Sequence, residues 1–61
     1  MKAKEVIRII EKDGWVIERQ SGSHKIFKHP KKKGIVVVPE HGKEDIKIGT
    51  LNSILKQAGL K

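Results

Sequence analysis

The 61-residue chain has no cysteine and no tyrosine, and only one tryptophan, one phenylalanine and two prolines. Without cysteine, neither disulfides nor a thiolate zinc site can supplement the thin core that this length allows, and a cytoplasmic setting is the simpler expectation. The opening Met1-Lys2-Ala3-Lys4-Glu5 is charged, and Arg8 and Glu11 interrupt the apolar residues behind it. Neither a signal peptide nor a membrane span is therefore expected. Trp15 and Phe27 are more cheaply explained as core than as a stacking platform for unpaired bases. The spaced glycine signatures that cradle a nucleotide are missing, and Gly22 and Gly34 do not supply one. So is the G-x-S-x-G nucleophile elbow that Ser21 or Ser23 would need. No cofactor is implied.

Acidic residues are also missing, and in one place. Fourteen Lys and Arg against seven Asp and Glu give a net charge of +7. From Arg19 to Lys33 the chain carries six cations, Arg19, Lys25, Lys28, Lys31, Lys32 and Lys33, and no acid. Such a concentration points to an anionic partner, and nucleic acid gripped through its backbone fits best. The plainer alternative is a solvated basic loop that keeps a small protein soluble.

What is present reads as one α+β domain spanning residues 1–61. Ala3, Val6, Ile7 and Ile10 fall on one stripe of a helix that ends at Asp13-Gly14. Trp15 to Gln20 and His24 to His29 read as two short strands around a Ser21-Gly22-Ser23 turn, and Ile35 to Val38 as a third, closed by Pro39. Residues 40–47 are polar and without a period, which predicts a loop. Leu51, Ile54, Leu55 and Ala58 repeat the helical stripe, with Gly59 placed as its C-terminal cap. The predicted order is helix, three strands, helix. A three-stranded antiparallel sheet with both helices on one face is the arrangement in which the two stripes and the sheet cover each other, leaving the other face open. Period two along the second strand sends Phe27, with Lys25 and His29, toward the helices and His24, with Ile26 and Lys28, onto the open face.

His24 directly follows Gly22-Ser23. A histidine beside a turn is most often an incidental surface residue. Imidazole is nevertheless the side chain whose ordinary titration lies near neutral pH, and cations around it would hold a phosphodiester within its reach. RNA brings its own nucleophile, the 2′-hydroxyl, so one base can begin cutting it without a deep pocket. Metal chemistry is not expected: His24, His29 and His41 match no usual ligand spacing. Glu40, Glu44 and Asp45 would need a further acid nearby to hold Mg²⁺.

The stretches E-K-D-G-W (Glu11–Trp15), R-Q-S-G-S-H-K-I-F-K-H-P (Arg19–Pro30), G-I-V-V-V-P (Gly34–Pro39) and I-G-T-L-N-S-I-L-K-Q-A-G-L (Ile48–Leu60), in this order, resemble the HicA-like (YcfA-type) toxins of bacterial and archaeal toxin–antitoxin pairs. The resemblance spans nearly the whole chain. It implies a small version of the double-stranded RNA-binding fold, ribosome-independent cleavage of messenger RNA, and a catalytic histidine that falls on His24. It also implies a HicB-type antitoxin that covers this histidine, with operator DNA bound only through the complex. A second histidine often follows the first in that family, and here Lys25 stands in its place. On this reading Lys28, Arg19, Lys25 and the loop lysines Lys31, Lys32 and Lys33 are RNA-binding candidates, Gly22 admits a close phosphate, and Ser23 bonds a phosphate or orients the imidazole. A non-catalytic RNA-binding module accounts equally well for charge and fold.

Overall fold

The computed structural model describes residues 1–40, 42 and 44–61. The chain forms α1 (Ala3–Lys12), β1 (Val16–Ser21), β2 (His24–Lys28), β3 (Ile35–Pro39) and α2 (Ile48–Gln57). The strands make one antiparallel sheet in the order β1-β2-β3. This is the predicted helix–sheet–helix order, with strand ends moved by a residue: Trp15 and His29 lie just outside the sheet, and Ser21 belongs to β1 rather than to the turn.

Glu5 accepts a hydrogen bond from the Lys2 amide at 3.0 Å and so satisfies one free donor at the start of α1. Both helices close by the same double bond pattern. In α1 the Gly14 amide reaches the Glu11 carbonyl and the Trp15 amide that of Ile10, and in α2 Gly59 and Leu60 do the same to Lys56 and Leu55. The Gly59 cap expected from the sequence is therefore present.

Opposed residues in an antiparallel ladder share a face. Phe27 opposes Val36 and Lys25 opposes Val38. Phe27, Val36 and Val38 join Ala3, Val6, Ile10, Trp15, Ile54 and Ala58 in one buried cluster. Both helices therefore cover the Phe27 side, and His24, Ile26 and Lys28 lie on the open face, as period two predicts. Ile26 is only 7% exposed even so, because Arg19 and Val37 flank it across the sheet. The two helices pack mainly over β3. As a result β1, at the far edge, is exposed along all six residues, and Ile17 remains 47% exposed although it opposes Phe27 on the helix face.

Candidate active site

A two-residue turn, Gly22-Ser23, joins β1 to β2, with Ser21 opposite His24. Gly22 has φ +59° and Ser23 a negative φ, the backbone of a type II′ hairpin turn. A Cβ added to Gly22 would touch nothing within 4 Å, so conformation rather than crowding requires glycine here. Gln20 Nε2 donates to the Gly22 carbonyl at 3.0 Å, and the Glu40 amide donates to the Ser23 carbonyl at 2.7 Å. Exposed His24 opens β2 directly after this turn, set between Ser21 on β1 and Pro39 on β3.

An irregularity in β1 decides which cation accompanies it. Ile17 opposes Phe27, but Arg19 opposes Ile26, because the register shifts by one residue at Glu18. In an unbroken strand Ile17 and Arg19 would share a face. The bulge keeps Ile17 with Phe27 and turns Arg19 onto the open face. There it stands diagonal to His24, about 7–8 Å away from backbone to backbone. Lys28 shares the face but lies four residues along β2, roughly 13 Å from His24 at strand rise.

The acid-free run is not acid-free in space. Lys28 pairs with Glu18 at 3.4 Å, Lys25 with Glu40 at 2.9 Å, and Lys32 with Asp13. Among the described residues, Arg19, Lys31 and Lys33 have no ion-pair partner. Lys31 and Lys33 sit in the exposed loop before β3, at the end of the sheet away from His24. The structure thus brings His24, Arg19 and Ser21 together with the Gly22-Ser23 turn, and places Lys28 farther along the same face. Lys25 is directed to the helix side.

Lys32 and His29 belong to a separate knot that closes the fold. Lys32 Nζ bonds the Asp13 carboxylate and donates to the Ala58 carbonyl at 3.0 Å, which also accepts from the buried Trp15 Nε1 at 3.2 Å. The hydrogen bond from Lys32 holds the Asp13 carboxyl below the ordinary aspartate value. His29 Nδ1 lies 3.0 and 3.1 Å from the amides of Lys31 and Lys32, and its Nε2 lies 2.7 Å from the Asp13 carbonyl. Two amides donating to Nδ1 assign the ring proton to Nε2, which then donates to Asp13. The ring also meets Trp15 edge-on at 5.2 Å. Both nitrogens are engaged, so His29 offers no metal-ligand position as it stands, and His41 lies outside the described residues. Of the acids weighed for Mg²⁺, Glu40 pairs with Lys25 and Asp45 with Lys2.

The sequence reading did not foresee the bulge, the Glu40 partnership or the Asp13–Lys32–Ala58 knot. One signal for the bulge was available: apolar Ile17 and cationic Arg19 two positions apart ask for opposite faces. Nothing local marks Glu40 or Asp13 as partners, because each contact joins distant segments.

Among the described residues, no helix is long and apolar enough to cross a membrane. Comparison with individually curated proteins gives no match. The profile of the HicA toxins of bacterial toxin–antitoxin systems, however, matches residues 3–60. It takes in both helices, the sheet and the Gly22-Ser23-His24 turn, and the chain therefore belongs to the HicA toxin family.

Proposed function

We propose that this toxin is a metal-independent endoribonuclease acting on messenger RNA in the cytoplasm, with His24 as its general base, and that a HicB-type antitoxin neutralises it by covering that residue. The observation that carries the reading is the placement of exposed His24 beside Arg19 on the helix-free face, at a turn held from both sides. Arg19 holds the scissile phosphate, and Gly22-Ser23 lets the strand approach closely. His24 takes the proton of the 2′-hydroxyl, and that oxygen bonds to phosphorus as the bond from phosphorus to the 5′-oxygen breaks. The leaving oxygen takes its proton from solvent water at the exposed His24. The products are a 2′,3′-cyclic phosphate and a 5′-hydroxyl. Lys28, Lys31 and Lys33 add phosphate contacts farther out.

The test is incubation of purified protein with RNA, with end-group analysis of the products, alongside His24→Ala. Cleavage with cyclic-phosphate ends, lost in the variant while RNA affinity stays within about threefold, supports the reading. Intact RNA bound equally by both proteins would instead establish a binding module without catalysis.

A further inference from the structure

We propose that Lys25 and Glu40 form a clip that fixes the geometry of His24, so that both are positioning residues rather than contacts for RNA. The inference rests on the ribonuclease reading for its catalytic consequence, and on the structure alone for the clip.

Within the hairpin tip the Gly22 carbonyl accepts from Gln20 Nε2 at 3.0 Å. On the β3 side His24 faces Pro39, which brings no N–H to the ladder. The following residue takes over: the Glu40 amide donates to the Ser23 carbonyl at 2.7 Å, immediately before His24. Glu40 continues the alternation of Val36 and Val38, so its side chain emerges on the helix side, where Lys25 lies opposite Val38. There the Lys25 ammonium and the Glu40 carboxylate meet at 2.9 Å, with side chains only 26% and 33% exposed. Lys25 thus crosses from β2 to the end of β3, on the face opposite His24, and ties down the residue that holds the tip. A lysine so engaged does not reach the phosphate that His24 and Arg19 would share. The Glu40 carboxylate adds negative charge near an anion site, and holding the tip in place is what offsets that disadvantage.

A carboxylate that both orders the site and repels its ligand predicts opposed kinetic effects. Glu40→Gln is expected to lower kcat by about tenfold, since small misplacements of a catalytic group are costly. The same change is expected to lower KM for RNA by about two- to fivefold, because one repulsive charge is gone. A loss of general stability would not improve KM. The charge-reversed pair Lys25→Glu/Glu40→Lys is expected to return kcat to within about threefold of the parent, and Lys25→Arg to preserve it. Unchanged kcat in Glu40→Gln, or no recovery in the reversed pair when both proteins are folded by circular dichroism, would overturn the clip. Amide hydrogen exchange without RNA provides a readout independent of cleavage. The Glu40 amide should exchange at least about fivefold faster in Lys25→Met, while amides in the middle of β2 stay unchanged. Equal exchange in both proteins refutes the clip whatever the enzymology. Faster exchange in a protein whose parent cuts no RNA upholds the clip and refutes the ribonuclease reading instead.

Discussion

Gly14→Ala should be among the most damaging single-methyl changes available in this chain. Gly14 has φ +104°, and a Cβ built there would stand 2.7 Å from His29 Nε2. Holding an L-residue in that backbone region costs about 1–3 kcal/mol. The imidazole cannot give way cheaply, because it donates from Nε2 to Asp13 and accepts two amides at Nδ1. Displacing it leaves polar groups unsatisfied at a further cost of about 1–3 kcal/mol. Lower entropy of the unfolded chain returns about 0.4–1 kcal/mol. The net loss centres on about 3 kcal/mol, against a total of about 3–9 kcal/mol for a domain of this length. The melting temperature should drop by roughly 10–30 °C. Urea unfolding followed by circular dichroism, in a fixed concentration of trimethylamine oxide that keeps the variants folded, measures this directly. The same substitution in a His29→Ala background isolates the clash: only the backbone part, about 1–2 kcal/mol, should remain. A loss below about 0.5 kcal/mol, or an equal loss in both backgrounds, would refute the assignment of His29 as the obstacle.

The acid limb of stability should follow Asp13 and Asp45, whose carboxyls are held low by Lys32 and Lys2 respectively. A carboxyl whose folded value is depressed contributes stability above its unfolded value and loses it as pH falls through the folded one, so stability should be flat above roughly pH 5 and decline below it. Asp13→Asn should flatten that decline, which unfolding midpoints at a series of pH values will show. Val36→Ala, at a fully buried position of β3, should cost about 2–4 kcal/mol, whereas Ile17→Ala on the uncovered edge should cost less than about 1 kcal/mol despite facing Phe27. Equal costs in denaturant titrations would mean that the helices reach across to β1. Arg19→Ala should weaken RNA binding and reduce the slope of log affinity against log salt by about one phosphate contact, a change that Lys32→Ala, with its ammonium already committed to Asp13 and Ala58, should not reproduce.

The sequence by itself determined the elements and their faces. Two helical stripes, a β-branched run and the glycines at 14, 22 and 59 are local signals, read by the 3.6- and 2-residue periods and by backbone conformation. They sufficed to order the elements, to set Phe27 inward and to put His24 on the open face. Which charges remain available was decided only by tertiary structure. Six cations without an acid between them look like a single patch, yet folding brings Glu18, Glu40 and Asp13 from outside that run, each onto one of its lysines. An ion pair depends on distance in space, which linear composition does not record. The same holds for Arg19. Strict alternation would tie it to the face of Ile17, but the apolar side chain is kept with Phe27, and the extra residue of the bulge puts Arg19 on the face that carries His24. Lys25, adjacent to His24 in the chain, goes to the other face and to Glu40 because neighbouring residues in a strand point in opposite directions.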